Sequence, residues 1–319
     1  MLVASPWTTH ADAVSSSPTS PSQLKACWFG NDQIADGLDF GLATDRDSLE
    51  QALRLQHDQY VAQGYMDSHP SGWRLSLHNG LPSTQVFVAR DGDRVVATMT
   101  LIVDSPLGLP MDEIYADELR LLRGERRDLA EVSGLAVDPD YQRSGVAILL
   151  RLIRMLVIYS IEKAHISDLC IAINPHHAMF YRKAFHFQII AGLKQYRKVN
   201  GAPAVALRLD LALARSLIRE VREGHPMLRE VYSFLFSPRN VEPVMARLLE
   251  DLQQGCSRVD QVAYFFCRHE AWSKASEDDR AYILGCYASP AALTPPRPSR
   301  STTDGGVVRG AESLRLVLA

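Results

Sequence analysis

Apolar and polar positions along the chain follow two periods, and the switches between them lay out the elements. From Asp45 to Ala62 the residues Leu49, Ala52, Leu53, Leu55, Tyr60 and Val61 recur at helical spacing, with Asp45 placed to cap the start. Val86 to Arg90 and Val95 to Val103 are β-branched runs joined by Asp91-Gly92-Asp93, which are hairpin-turn residues. Ala130 to Val137 predicts another strand, and a long apolar helix follows from Gly145 to Ile161. Leu169 to Ile173 predicts a buried strand, with Ile189-Ile190 and Val205 to Leu211 as closing strands. Strands before and after one helix, plus a terminal hairpin, predict an α+β fold with a mixed central sheet.

The Gly145 to Ile161 window is the most apolar, yet it carries Arg151 and Arg154 on one helical face. The remaining face, with Val146, Leu149, Leu150, Ile153, Leu156 and Val157, predicts a core helix rather than a membrane span. Beyond Ala214 the pattern turns helical over Arg215 to Glu223, Met227 to Phe236, Val241 to Gln254 and Asp260 to Arg268, punctuated by Pro226, Pro238, Pro243 and Gly255. Leu228, Val231, Tyr232, Phe234, Leu235, Phe236, Phe265 and Phe266 are expected to pack on the preceding domain or another subunit, with a lipid surface as the alternative. Four regions result: a Ser/Pro/Thr-rich lead-in over 1–43 with some packing near Trp28, a main domain over 44–214, a helical extension over 215–288 and a flexible tail over 289–319.

Composition narrows the class. Hydrophobic residues make up 46% and charged residues 22%, the balance of a soluble globular protein. A formal net charge of −3 and the lack of a basic arm argue against nucleic-acid binding. Cys27, Cys170, Cys256, Cys267 and Cys286 form neither a C-x-x-C pair nor an even framework, so free thiols, a reducing cytoplasmic setting and no metal site are expected. The start of the chain lacks the charged region of a signal peptide.

Candidate chemistry concentrates between Glu131 and Arg154. There Gln142-Arg143-Ser144-Gly145-Val146-Ala147 sets backbone N–H groups at the start of a helix, where the dipole favours an anion such as a pyrophosphate or a phosphopantetheine phosphate. Gly145 lets a phosphate approach, and Ala147 lets loop and helix pack. Leu135-Ala136-Val137 just before it offers a strand edge whose amides can pair with those of a pantetheine arm. An ordinary strand-to-helix turn is the competing explanation.

The Q/R-x-x-G-x-G/A pattern resembles the acyl-donor loop of the GCN5-related N-acyltransferase superfamily. Asn174-Pro175-His176-His177-Ala178-Met179-Phe180-Tyr181-Arg182-Lys183 resembles its second hallmark, an Asn after a strand and then a short helix carrying a Tyr. One departure is His186 in Phe185-His186-Phe187, where the superfamily usually has Gly, so a local change in that turn is expected. Asp104-Ser105-Pro106-Leu107-Gly108-Leu109-Pro110, Tyr115, Glu118-Leu119 and Glu131-Val132-Ser133 further resemble the bacterial long-chain N-acyl amino acid synthases, relatives of the acyl-homoserine-lactone synthases. The resemblance runs from about Leu49 to Ala214.

It implies direct transfer of a fatty acyl group to an amino acid amine, tyrosine being the best-known acceptor. The donor would be an acyl-phosphopantetheine on acyl carrier protein or CoA, with no permanently bound cofactor. An α-amine is protonated near neutral pH and needs a base, for which Glu131 is the candidate; a capping or pairing carboxylate is the plainer alternative. Tyr181 matches the family residue that protonates or hydrogen-bonds the leaving thiolate, or is a core Tyr. Asn174 is read either as a pantetheine ligand or as a turn former, Cys170 as structural, and His176-His177 as surface or capping residues. Arg143 and Arg182 are candidates for contact with a donor phosphate or an acidic carrier protein. An acetyl-CoA-dependent acetyltransferase and a non-catalytic acyl-thioester sensor remain open as alternatives.

Overall fold

The computed structural model describes residues 33–222, 232, 235–236, 238–254 and 258–288. Trp28, most of Met227 to Phe236 and the expected tail lie outside the described residues. Seven strands form one sheet in the order β1-β2-β3-β4-β5-β7-β6. They are β1 (Asp39–Leu42), β2 (Gln85–Asp91), β3 (Arg94–Val103), β4 (Leu129–Val137), β5 (Asp168–Ile173), β6 (Gln188–Tyr196) and β7 (Ala202–Asp210). Every neighbouring pair is antiparallel except β4 and β5. A parallel pair needs a crossover, supplied here by helix α4 (Gly145–Glu162). The sheet is therefore mixed and the fold α+β, as the periodicity predicts.

The remaining helices cover the two faces and one edge. In chain order they are α1 (Gln33–Gly37), α2 (Arg46–Ala62), α3 (Asp112–Gly124), α5 (Pro175–Phe185), α6 (Leu211–Arg222), α7 (Pro238–Gln254), α8 (Arg258–Phe266) and α9 (Glu277–Cys286). Asp45 caps α2 as expected, its Oδ1 accepting the Ser48 N–H at 2.8 Å. α4 is buried along nearly its whole length, with Ile148, Leu150 and Leu152 fully inaccessible. With the turn before it, α4 is long and apolar enough to cross a membrane, but 78% of that window is buried inside the fold. Helix α3 escapes the sequence reading, although Tyr115, Leu119 and Leu122 carry its helical spacing and are buried.

Two boundaries differ from expectation. Asp39–Leu42, assigned above to the lead-in, is the edge strand β1. Its outer side is covered by α7, where Asp251 Oδ2 accepts the Leu42 N–H at 2.7 Å and Arg247 bridges Asp251 and Asp39 at 2.8 Å each. A sheet edge leaves N–H groups unpaired, and the buried carboxylate satisfies one of them. The extension also shares the main core: Tyr232, Leu235, Phe236 and Leu248 pack with α4, while Phe265 packs on Trp73 with ring centroids 5.1 Å apart. Phe266 packs with Trp272, Leu81 and Ile283. These apolar residues thus meet the preceding domain, the first of the expected destinations.

Candidate active site

At one end β4, β5 and β7 are clamped together. Arg127 holds the buried Asp168 through Nε at 2.5 Å and a terminal nitrogen at 3.0 Å, and reaches Asp210 at 3.0 Å. Next to this clamp Leu129, Ala130 and Glu131 pair with Asp168, Leu169 and Cys170. There the pairing stops, although β4 runs on to Val137 and β5 to Ile173. The strands part immediately after Glu131, leaving a gap in the sheet between Val132 to Val137 and Ile171 to Ile173, whose backbones are not paired with each other. Backbone edges of this kind accept an extended amide-bearing chain in the manner of an added strand.

A bulge shapes β4 at the gap. Four β4 residues, Ser133 to Ala136, span three on β3, Thr98 to Thr100. The extra residue is accommodated by Gly134 at φ +61, where a Cβ would lie 2.8 Å from the Gln56 amide. Because side chains alternate, one extra residue shifts the parity of the strand. Ala130 and Val132, then Leu135 and Val137, therefore all face α4, while Ala136 packs with α2. The turned Gly134 N–H is hydrogen-bonded to the phenol of the fully buried Tyr60.

Glu131 faces away from α4, toward the cluster of Tyr60, Met111, Tyr115, Cys170 and Tyr196. It is fully buried; its Oε2 accepts the Met111 N–H at 2.7 Å, and its Oε1 has no hydrogen-bond partner. Burial pushes its carboxyl above the usual carboxylate range, with the Met111 N–H and the charges of Lys198 and Arg74 pulling the other way. The raised value suits a general base for an amine better than an ordinary glutamate would.

The Asp104 to Pro110 block, singled out in the sequence, brings that Met111 amide to Glu131. Arg123 of α3 grips Asp104 at 2.6 and 2.9 Å and Asp112 at 2.7 and 2.6 Å, tying together both ends of the loop. Asp112 also accepts the Leu109 N–H at 2.7 Å. Burial raises the Asp112 carboxyl, but the Arg123 and Leu109 bonds outweigh it and leave it lowered. His78, pushed down to about 4 chiefly by burial, is neutral near pH 7 and sits 3.1 Å from the Gly108 carbonyl. Tyr196 donates to the Pro110 carbonyl at 2.7 Å, closing the far wall. Arg123, Met111, Tyr196 and Gly134 are absent from the residues picked by sequence, and Tyr60 is picked only as an apolar position of α2. Only Gly134, an isolated glycine in an apolar strand, carried a local signal.

Tyr181 lies on the other face. With Val132, Ile153, Ile171, Phe185 and Phe187 it lines a small apolar cavity of about 20 Å³ between the strands and α4. Burial raises its phenol, so it is a neutral hydroxyl at physiological pH. Glu131 and Tyr181 are thus not side by side but flank the parting strands from opposite faces. Cys170 is buried in β5 and its thiol is pushed up by burial, which removes it as a nucleophile.

The expected anion loop is a tight 3-10 turn, Pro139–Ser144, running directly into α4. Gly145 takes ordinary helical angles, φ −56 and ψ −36, and its N–H bonds the Gln142 carbonyl. Ser144 and Ala147 are buried, Gln142 and Val146 are half-buried, and Arg143 is exposed. Asn174 caps α5, its Oδ1 accepting the His176 N–H at 3.1 Å, which is the turn-forming role. His176 is exposed and His177 half-buried in the first turn of α5, and Arg182 is exposed. His186 corrects an expectation: it adopts the left-handed φ of 63 that a glycine would supply, so the turn is retained. Its ring stacks on Tyr232 with centroids 5.8 Å apart. Among the described residues no group of three His, Cys, Asp or Glu is arranged to hold a metal ion.

A mixed sheet whose parallel pair separates beside an α-helix defines the GCN5-related N-acyltransferase fold. The chain matches the family model for the N-acyl amino acid synthase FeeM over residues 51–210 and belongs to that family. Its chemistry is therefore N-acyl transfer. A solved structure of FeeM, an N-acyl amino acid synthase from uncultured soil microbes, is 34% identical, covering 56% of this chain and 94% of that one with a TM-score of 0.49. The acyl-homoserine-lactone synthase LasI is 18% identical over 55% of this chain and 89% of its own, with a TM-score of 0.40. A CoA-dependent acyl-homoserine-lactone synthase, BjaI, solved with SAM and isopentyl-CoA, is 20% identical over 62% of this chain and 97% of its own, with a TM-score of 0.41. No curated protein matches the chain.

Proposed function

We propose that the protein is a cytoplasmic enzyme that moves a long-chain fatty acyl group from a phosphopantetheine thioester to the α-amine of an amino acid, tyrosine being the first acceptor to test. Acyl carrier protein and CoA present the same arm and are both candidate donors. The observation that carries the reading is the parting of β4 from β5 immediately after a buried Glu131 with a free oxygen. In this reading the pantetheine amides pair with the β4 edge at Leu135 to Val137, and the phosphate meets the turn Gln142 to Ala147. Arg143 and Arg182 are both exposed, and in this reading they meet the donor phosphate or an acidic carrier.

The amine approaches from the Glu131 face and gives a proton to Oε1. Its nitrogen then attacks the thioester carbonyl, and the tetrahedral intermediate collapses with cleavage of the C–S bond. The departing thiolate takes its proton from the Tyr181 hydroxyl on the other face; the second proton, shed by the acylated nitrogen as the amide forms, returns through solvent to the tyrosinate, and Glu131 releases its proton to solvent. No covalent enzyme intermediate is needed, and positioning supplies much of the acceleration. The apolar cavity beside Tyr181, at about 20 Å³, has room for one or two waters. A fatty chain must therefore move side chains there. Burying methylenes at about 0.8 kcal/mol each provides a driving force that an acetyl group lacks.

The test is incubation with palmitoyl-carrier protein, palmitoyl-CoA or acetyl-CoA and the twenty amino acids, with products read by mass spectrometry. A fatty-acyl amino acid that is lost in Glu131→Gln and Tyr181→Phe supports the proposal. Acetylated product alone would make the protein an acetyltransferase, and donor binding without product would make it a sensor.

A further inference from the structure

Among the described residues, Arg74 on the Glu131 face takes part in no ion pair. Arg74 is anchored through its backbone N–H to the Leu53 carbonyl of α2 at 3.1 Å. Its guanidinium carbon lies 4.1 Å from the centroid of the Tyr60 ring. Among the described residues its side chain makes no hydrogen bond or ion pair, whereas Arg90, Arg123 and Arg127 all hold carboxylates. Tyr60, on which it rests, is the residue hydrogen-bonded to Gly134 in the β4 bulge, three positions beyond Glu131.

The same face holds the unpaired Oε1 of Glu131. Lys198, the other side-chain cation whose field reaches Glu131, is already engaged with the Pro110 carbonyl at 3.2 Å and Glu113 at 3.5 Å. The charge of Arg74 acts on the ionisable groups of Glu131, Tyr60 and Tyr196 together, which places it on the side of the sheet that they share. A free α-amino acid carries one donor and one anion separated by a single carbon. An orphaned acceptor and an unpaired guanidinium on one side of the sheet match that pair of groups, and a guanidinium fork fits a carboxylate with two parallel hydrogen bonds.

We infer that Arg74, held on the Tyr60 ring, binds the α-carboxylate of the acceptor while Glu131 Oε1 receives its amine, and so selects amino acids over simple amines. The inference rests on the acceptor class proposed above and assigns a residue to it. The test compares kcat/KM for the best amino acid acceptor with that for its decarboxylated amine, for tyrosine with that for tyramine, in the wild-type chain, Arg74→Gln and Arg74→Lys. The wild-type enzyme is expected to prefer the amino acid. Arg74→Gln is expected to reduce that preference on the order of 10²-fold, through KM of the amino acid more than through kcat. Arg74→Lys, which keeps a point charge without the fork, should fall between them and guards against a folding defect in the Gln variant. An undiminished preference in a folded Arg74→Gln overturns the role of Arg74 and leaves amino acid acylation intact. A wild-type enzyme that acylates amines but no amino acid overturns the acceptor class, and this inference with it.

Discussion

Replacing Arg123 by Ala should disturb catalysis through a proton rather than through a contact with substrate. The guanidinium holds Asp104 and Asp112 with four hydrogen bonds of 2.6 to 2.9 Å, and between those carboxylates runs the loop carrying Met111. Without the cation two carboxylates are left facing each other and the loop relaxes, withdrawing the Met111 N–H from Glu131, now at 2.7 Å. A hydrogen bond to a charged group contributes about 1.5–3 kcal/mol. At 1.36 kcal/mol per unit, its loss raises the Glu131 pKa by about 1–2 units, since the bond favours the ionised form. The acid limb of kcat/KM for amine acylation should shift to higher pH by that amount, with activity at pH 7 down roughly 10- to 100-fold and the loss partly recovered at alkaline pH. Arg123→Lys, retaining one charge, should shift the limb less. A rate that falls uniformly at every pH with its acid limb unmoved would refute the reasoning and leave Arg123 a purely structural residue.

Other consequences follow from the same geometry. Glu131 has a folded-state pKa raised above its unfolded value, so its favourable contribution is complete below the unfolded pKa and is lost as pH rises through the folded one. Glu131→Gln should therefore be inactive yet melt higher than wild type at pH 8, with the gap closing toward pH 5 in thermal denaturation at both pH values. Gly134→Ala places a Cβ 2.8 Å from the Gln56 amide at a φ of +61, and should cost about 1–2 kcal/mol for the backbone alone, measured by urea unfolding. It should also lower activity by shifting the Tyr60 bond. Asp251→Ala leaves the Leu42 N–H without its partner and Arg247 with Asp39 alone, an expected loss of about 1–3 kcal/mol, with a greater tendency to aggregate through β1 seen by light scattering.

The core of the fold was legible because its elements bury whole faces. The β-branched runs of β2 and β3, the Gly92 turn and the apolar length of α4 are local signals that tertiary packing reinforces. Strand β6 was seen only at Ile189-Ile190, because it is an edge strand with Ile189 and Leu193 exposed and two register shifts against β7, which erase a clean alternation. Strand β1 was missed because four residues carry little pattern, and its partner α7 lies some two hundred positions away. Glu131 and Tyr181 were singled out as candidates from the sequence, but their separation onto opposite faces depends on strand parity, which no motif states. The supporting residues are harder still to read: Arg123 binds Asp104 from 19 positions away, and the Met111 amide that meets Glu131 is backbone, so its side chain carries no sign of the role.

In the proposed reaction donor and acceptor meet where β4 leaves β5, with the amine on the Glu131 side. A crystal structure with an N-fatty-acyl amino acid bound tests it most directly. The account predicts the acyl carbonyl between the edges of Val132 to Val137 and Ile171 to Ile173, and the amide nitrogen within hydrogen-bond reach of Glu131 Oε1. The aliphatic chain should lie in an enlarged cavity bordered by Tyr181, Ile153 and Phe185. Product bound elsewhere, with the gap closed and Glu131 untouched, would contradict it.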